Sequence, residues 1–89
     1  MWTWDEAKRR SNLAKHGVDF ADIERFQWDR ADPQTDQRHD YGERREFAYG
    51  LIGARLYFVA FTRRAEEIRI ISLRKANRRE QNEWNNREM

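Results

Sequence analysis

The chain of 89 residues has no cysteine, one proline and four glycines. Without cysteine it forms neither a disulfide nor a cysteine-based metal site, which suits a reducing cytoplasm. Its longest apolar runs, such as residues 56–61, are far too short to span a bilayer. Its first residues lack a charged segment followed by an apolar stretch, so we expect no signal peptide. The sequence therefore predicts a soluble cytoplasmic protein without a membrane segment.

The residues needed for several other chemistries are also scarce. His16 and His39 are the two histidines, and without cysteine they make a weak set of metal ligands. Ser11 and Ser72 are the two serines, and neither lies in a nucleophile-elbow context. The four scattered glycines do not form a phosphate-binding loop. We therefore predict no metal site and no cofactor.

Charged and aromatic side chains are abundant instead. Hydrophobic and charged residues each make up 38% of the chain, and its length predicts one domain over residues 1–89. The formal charge of +2 only mildly favours polyanionic partners. The basic residues are clustered, however, as Lys8 to Arg10, Arg44 with Arg45, Arg63 with Arg64, and Arg74 with Lys75. Such clusters indicate either a nucleic-acid patch or an ordinary solvated surface.

The N-terminal part of the chain predicts two helices. Asp5 as an N-cap and Gly17 as a left-handed stop define a helix over Glu6–His16. Asp19 caps a second, shorter helix over residues 20–26. Both helices precede the part of the sequence in which strand patterns dominate.

The remaining pattern predicts short strands, a loop and a closing helix. The loop covers the polar residues 32–42, and the closing helix covers residues 75–86. Strands are predicted over residues 1–4, 45–52, 56–62 and 68–73. Short connections make consecutive strands antiparallel. We therefore expect an α+β fold in which an antiparallel sheet of three to four strands packs with two N-terminal helices and a C-terminal helix.

One face of the first helix is polar and basic. Lys8, Asn12 and Lys15 follow one another at i, i+4 and i+7, so they share a face that can bind successive phosphates. A face that merely solvates the helix has the same spacing. His16 in the last turn either interacts with the helix dipole or acts as an acid or base, since the ordinary pKa of histidine lies near working pH.

The last strand carries a more specific feature. Simple alternation places Arg69 among apolar neighbours, on the face of Ile71 and Leu73, where a cation is costly unless it is paired or stands at the mouth of a site. Arg74 ends this strand, and two neighbouring guanidiniums would stabilise the negative charge of a phosphodiester transition state. Glu80 is either the salt-bridge partner of Arg69 or a base that takes the proton of the ribose 2′-hydroxyl.

Aromatic side chains offer a further means of binding RNA, because unpaired bases stack on them. The candidate platforms are Tyr49, Tyr57 and Trp84. Most of the other aromatic residues are expected in the core of so small a domain.

Three motifs in this chain match a known family. Residues 4–17 contain Trp-Asp-Glu, Lys, Asn and Lys-His-Gly in this order. Glu43-Arg44 followed by Gly50 leads into the sheet, and residues 68–76 read Ile-Arg-Ile-Ile-Ser-Leu-Arg-Lys-Ala, with Glu80 downstream. In these motifs the chain resembles the BrnT family, ribonuclease toxins of type II toxin–antitoxin modules with a RelE-like fold.

The resemblance implies a metal-independent endoribonuclease that inhibits translation and growth. In the predicted mechanism the RNA 2′-hydroxyl attacks its own phosphate and leaves a 2′,3′-cyclic end. Arg69 and Arg74 would stabilise the transition state, while Lys15 and His16 would bind phosphate or transfer a proton. Glu80 would orient an arginine or act as the base. Further RNA contacts are predicted for Lys8, Asn12, Arg44, Arg45 and Lys75.

The resemblance also implies a partner. This would be a BrnA-like antitoxin with a ribbon-helix-helix part, in a 2:2 complex that reaches operator DNA only through the antitoxin. Three positions depart from the family pattern: Leu73 replaces the usual Ala, Trp84 replaces Tyr, and Arg64-Ala65 replaces Arg-Gly in the last hairpin, which predicts a longer or differently bent turn. The alternative hypothesis is a non-catalytic basic module that binds nucleic acid or a partner protein.

Overall fold

A five-stranded mixed sheet with the strand order β1-β5-β4-β3-β2 forms the centre of the protein. The computed structural model describes residues 1–36 and 44–88, so Glu43, His39 and most of the predicted 32–42 loop lie outside the described residues. β1 is parallel to β5, and the other neighbouring strands are antiparallel. The strands are β1 (Trp2–Trp4), β2 (Gln34–Asp36), β3 (Arg45–Ile52), β4 (Arg55–Arg64) and β5 (Glu67–Lys75).

Helix α1 covers Glu6–His16, as the capping residues predict. The Asp5 carboxylate accepts hydrogen bonds from the backbone N–H groups of Ala7 and Lys8, and Gly17 ends the helix in the left-handed region at φ +71°. Two 3₁₀ segments follow, and α2 closes the described part of the chain. These later elements are Phe20–Arg25, Trp28–Arg30 and α2 (Arg78–Glu88).

The predicted antiparallel sheet of three to four strands with two N-terminal helices is wrong. Residues 20–26 do not form an α-helix because their buried side chains, Phe20, Ile23 and Phe26, recur every third residue, which is the period of a 3₁₀ helix. β2 lies inside the predicted loop, where Gln34–Asp36 is too short and polar to show an alternating pattern. The short N-terminal strand pairs with β5 in parallel at one edge of the sheet, a pairing between the two ends of the chain that local sequence patterns do not show.

The main core lies between one face of the sheet and the segment that follows α1. Phe20, Ile23 and Phe26 pack on this face, which we call the core face. The ring of Phe26 lies directly against the Cα of Gly50, where no Cβ would fit. The sheet contributes apolar residues from its three long strands: Ala48, Ile52, Val59, Phe61, Ile70 and Leu73.

Residues 1–36 and 44–88 cover the opposite face of the sheet, the open face, at one end only. There Trp84 of α2 packs with Leu56 and Ala76, and Tyr49 and Leu51 border this cluster. Burial of these apolar side chains attaches α2 to the sheet. The contact also brings the first turn of α2 to the end of β5.

A β-bulge in β5 decides which side chains share a face. The pairing with β4 shifts between Ala60 and Phe61, so that Ile70 and Leu73 both point into the core. The partners of Arg69 and Arg74 are Thr62 and Phe58, which are four residues apart on β4 and therefore on one face. Both arginines thus belong to the open face, and the expectation that Arg69 shares a face with Leu73 is wrong because simple alternation ignores the bulge.

The β4–β5 hairpin provides a test of backbone strain. Its turn has two residues, so of the two predicted alternatives, a longer or a differently bent turn, the longer one is wrong, and Ala65 occupies the left-handed region at φ +53°. A glycine adopts this conformation without strain from a Cβ. We expect Ala65→Gly to raise the free energy of unfolding by roughly 0.5–1 kcal/mol, measured by urea denaturation.

Ala54 provides the matched control for this substitution. It lies in the two-residue β3–β4 turn after Gly53, and its φ is not positive. Ala54→Gly adds freedom to the unfolded chain without relieving strain, so it should lower stability slightly. Equal effects of the two substitutions would contradict the assignment of strain to Ala65.

Candidate active site

A paired guanidinium and carboxylate stand where β5 meets α2. Arg74 donates from Nη1 to Oε1 of Glu80 at 2.8 Å and from Nη2 to Oε2 at 3.0 Å. This two-point geometry is the strongest form of an arginine–carboxylate contact. Both side chains are largely buried, with 28% and 14% of their surfaces exposed, so the pair is better shielded from water than an ordinary surface ion pair.

The start of α2 fixes the position of Glu80. Asn77 Oδ1 accepts from the Glu80 backbone N–H, and Glu80 Oε1 accepts from the Asn77 backbone N–H, both at 2.8 Å. This reciprocal arrangement is a capping box with asparagine as the cap. Tyr49 donates its hydroxyl to Glu80 Oε2 at 2.7 Å. One carboxylate therefore joins the open face, the helix start and Arg74.

These hydrogen bonds set the charge states of the cluster. The Arg74 hydrogen bond, with smaller contributions from Asn77 and Tyr49, lowers the pKa of Glu80 to about 2 despite its burial. Burial and the same carboxylate raise the pKa of Tyr49 to about 12. Glu80 is thus ionised and Tyr49 is protonated at neutral pH, which fits a carboxylate that holds an arginine.

Aromatic rings lie next to this pair on the open face. The Arg74 guanidinium carbon lies 4.4 Å from the centre of the Phe58 ring, within the range of a cation–π contact. Phe47 stacks beside Phe58, with ring centres 5.9 Å apart and planes 25° apart. These residues line a cavity of about 530 Å³ together with Tyr49 and Glu80. We call it the aromatic cavity.

The polar face of α1 lines a second depression beside β5. Lys8, Lys15 and His16 meet Ser72 there, around a volume of about 260 Å³ that we call the basic groove. Partial burial is the main cause of a lowered pKa of His16, and the charges of Lys15 and Arg74 lower it further. Ser72 of the basic groove and Arg74 of the aromatic cavity are two residues apart on β5, so the two depressions are neighbours along this strand.

Asn12 has a different environment from the two lysines on its helix face. It is buried, and its amide nitrogen donates to the carbonyls of Leu73 at 2.7 Å and Val18 at 3.0 Å. Its amide oxygen accepts from the Leu73 N–H at 3.2 Å. The side chain therefore pairs with the edge of β5 as another strand would, and this geometry gives it a structural role. Its predicted contact with RNA has no support from these hydrogen bonds.

Arg69 is separated from Arg74 along β5. The β4 residues opposite the two arginines, Thr62 and Phe58, are four residues apart, or roughly 13 Å of strand, so the backbone does not place the two arginines side by side. Arg69 lies opposite Thr62, and within the described part of the chain its side chain has no hydrogen bond or ion pair. The predicted salt bridge between Arg69 and Glu80 is wrong, because Glu80 binds Arg74 instead.

The other predicted RNA contacts lie farther along the sheet. Exposed Arg44 donates to Thr35 Oγ1 at 2.8 Å, and Arg45 begins β3 opposite Thr62. Lys75 is exposed at the end of β5, directly after Arg74. Lys75 therefore extends the charge beside the site, while Arg44 and Arg45 mark the far end of the open face.

The predicted aromatic platforms have three different placements. Tyr49 lines the aromatic cavity, and Tyr57 borders the main core. Trp84 of α2 is buried against Leu56 and Ala76, with 7% exposure. Sequence reasoning missed Phe47 and Phe58, the rings that are stacked in the cavity. The alternation that placed Phe47 and Tyr49 on one face of β3 was the available signal.

Within residues 1–36 and 44–88, no three His, Asp or Glu side chains come together as metal ligands would. In the same part of the chain, no helix has the length and apolar character needed to cross a membrane.

Cations and exposed aromatic rings on a small α+β domain are typical of proteins that act on nucleic acid. A family model described as "Ribonuclease toxin, BrnT, of type II toxin-antitoxin system" matches residues 4–80. The chain therefore belongs to the BrnT family of ribonuclease toxins, which confirms the resemblance of its motifs. Comparison with curated proteins gives no match.

The depressed pKa of Glu80 predicts a specific dependence of stability on pH. Because its folded pKa of about 2 lies below its ordinary value of 4.5, the charged form stabilises the fold above pH 4.5, and this contribution is lost as the pH falls towards 2. Glu80→Gln keeps the side-chain shape and a capping acceptor. We expect it to lower the free energy of unfolding at pH 7 by roughly 2–3 kcal/mol, with the difference shrinking through this pH range.

Chemical denaturation at pH 7, 4.5 and 2.5 measures this difference. Glu83→Gln is the control, since that side chain is 70% exposed and its ion pair is with exposed Arg79. It should change stability by less than about 0.5 kcal/mol at each pH. A constant difference between wild type and Glu80→Gln across the pH range would contradict the account.

Proposed function

We propose that this BrnT-family toxin is an endoribonuclease that cleaves RNA by metal-independent phosphodiester transfer and so inhibits translation and growth. The observation that carries the proposal is the placement of the Arg74 guanidinium, which Glu80 holds in the aromatic cavity, two residues along β5 from Ser72 of the basic groove. A fixed cation at such a position stabilises the charge that develops in the transition state. Because the substrate is RNA, the proposed place of action is the cytoplasm.

His16 is the proposed general base. Its lowered pKa keeps the imidazole neutral at neutral pH, and its position in the basic groove brings it beside the cations that would hold the phosphate. The imidazole takes the proton of the 2′-hydroxyl while that oxygen attacks the adjacent phosphorus. The bond from phosphorus to the 5′-oxygen breaks, and the leaving oxygen takes a proton from solvent. The products are a 2′,3′-cyclic phosphate and a 5′-hydroxyl.

Glu80 is proposed to position Arg74 and not to act as the base. Both carboxylate oxygens already accept hydrogen bonds, and a pKa of about 2 leaves little tendency to take a proton at neutral pH. The carboxylate instead restricts the guanidinium to one orientation, which removes the reorganisation that a free arginine would need. The N–H groups of Arg74 that do not bind Glu80 remain available to the substrate.

The other cations are proposed to bind flanking phosphates. Lys8 and Lys15 line the basic groove, and Lys75 follows Arg74 at the end of β5. Arg69 shares the open face with Arg74 but lies farther along β5, opposite Thr62. We therefore assign Arg69, Arg44 and Arg45 to the RNA backbone beyond the cleaved nucleotide.

The roles of the two strand arginines predict different effects on cleavage. Arg74→Ala should lower the rate by roughly 100-fold or more, because it removes a preorganised charge. Arg69→Ala should act mainly through substrate affinity and cost less at saturating RNA. Arg79→Ala is the control, because this side chain is 90% exposed on α2 away from both cavities.

These rates are measured on purified, folded protein in the presence of EDTA. Wild-type cleavage should persist there, since the proposed step uses Arg74 and His16. Complete loss in EDTA with recovery on adding zinc or magnesium would refute metal independence. An equal rate for wild type and Arg74→Ala would favour a non-catalytic basic module.

We further propose that a BrnA-like ribbon-helix-helix antitoxin neutralises the toxin in a 2:2 complex and carries it to operator DNA. The family belongs to type II modules, in which a toxin has an antitoxin partner. The simplest means of inhibition is for acidic residues of the antitoxin to cover the basic groove. The interface should bury more than about 2,000 Å² in total, as obligate complexes do.

Co-purification with the product of the neighbouring gene tests this partner. Light scattering should give the mass of two copies of each chain, and association should slow as salt screens the groove. A monomeric toxin that still cleaves RNA in the presence of that product would contradict the proposal.

A further inference from the structure

We propose that the aromatic cavity binds one unpaired nucleobase of the RNA, stacked on Phe47 and Phe58, beside the phosphate that Arg74 contacts. This inference rests on the proposed action on RNA and extends it to the part of the substrate that carries sequence. The basic groove and Arg74 account for phosphates only, and phosphate contacts are the same for every sequence. The aromatic cavity is the feature next to them with the chemistry to receive a base.

The Phe47 ring of this cavity is available for stacking, and the Phe58 ring beside it already carries the Arg74 guanidinium on one face. Phe47 and Phe58 are half-buried, and neither belongs to the two clusters that form the core within the described residues. Their rings are nearly parallel, at 25°, and the Tyr49 ring completes the wall with its centre 5.3 Å from that of Phe58. Exposed aromatic rings on a sheet face are a common means of binding single-stranded RNA, because every base offers a π-face.

The size of the cavity and its position relative to the cations favour a nucleotide as the occupant. A volume of about 530 Å³ lies within the range of small-molecule sites and accommodates one base. Arg74 contacts the Phe58 ring of the cavity, and Ser72, two residues earlier on β5, lines the basic groove. A phosphate on the cationic side and a base on the aromatic side reproduce the composition of a nucleotide. An apolar peptide segment would fill the cavity but would leave the neighbouring cations without a counterion.

The test uses short single-stranded RNAs that are 2′-O-methylated throughout, so binding is measured without cleavage. Each RNA carries the fluorescent base 2-aminopurine at one position, because its emission falls when it stacks on an aromatic ring. We expect strong quenching at one position when the wild-type chain binds. An abasic residue at that position should weaken binding by about tenfold, the usual size of one base–aromatic stack.

Two variants of Phe47 separate stacking from packing. Phe47→Leu keeps an apolar side chain on β3 but removes the ring, and it should abolish both the quenching and the abasic penalty. Phe47→Trp replaces the phenyl ring with a larger aromatic ring and should retain both the quenching and the abasic penalty. Urea denaturation of each variant reports its fold, so a loss of binding by an unfolded chain is recognised. If Phe47→Leu does not fold, Phe58→Leu replaces it in the test. This variant should also abolish both the quenching and the abasic penalty.

The outcomes distinguish this inference from the ribonuclease proposal. No quenching at any position, or equal quenching with wild type and Phe47→Leu, would overturn the base site even if the wild type cleaves ordinary RNA. Quenching that depends on Phe47 would support the site even if no cleavage occurs. Unchanged quenching together with weaker antitoxin binding by Phe47→Leu would show that the cavity is a protein contact, and this too would overturn the inference.

Discussion

The carboxylate of Glu80 receives hydrogen bonds from Arg74, Tyr49 and the backbone N–H of Asn77, and these partners come from three different parts of the fold. β5 supplies the arginine, β3 supplies the tyrosine, and the first turn of α2 supplies both the backbone donor and Glu80 itself. The ionised carboxylate therefore attaches the closing helix to the open face of the sheet while it fixes the orientation of the guanidinium. Stability at this junction and the geometry of the candidate site depend on the same charge.

The amide of Asn12 has a comparable role on the other side of the site. β1 pairs only with the first part of β5, and beyond it the N–H and carbonyl of Leu73 would lack a strand partner. Asn12 satisfies both groups and so holds α1 against this edge. Lys15 and His16, in the next turn of the same helix, are thereby brought towards Arg74. A buried amide in one helix thus positions the cations that we assign to the substrate.

The sequence predicted the elements whose signals are local. The caps Asp5 and Gly17 defined α1 to the residue, and alternation over residues 45–52 defined β3. Pairing between distant segments was not predictable in this way. The bulge near Ile71, which places Arg69 on the open face, depends on the register with β4, and β2 is too short to show a pattern. For the same reason the sequence identified both Arg74 and Glu80 as site residues but paired Glu80 with Arg69, whereas in the structure Glu80 binds Arg74. The motif match identified the family because it depends on residue order and not on contacts.

In the proposed reaction, protein side chains drive attack by the RNA 2′-hydroxyl at a phosphate held by Arg74. The most direct measurement is chemical analysis of the new ends after the purified chain cleaves a short RNA in EDTA, alongside the same RNA with a single 2′-deoxy residue at the cut site. The account predicts a 2′,3′-cyclic phosphate and a 5′-hydroxyl from the first RNA and an intact second RNA at that position. A 5′-phosphate with a 3′-hydroxyl, or unchanged cleavage of the 2′-deoxy substrate, would contradict it.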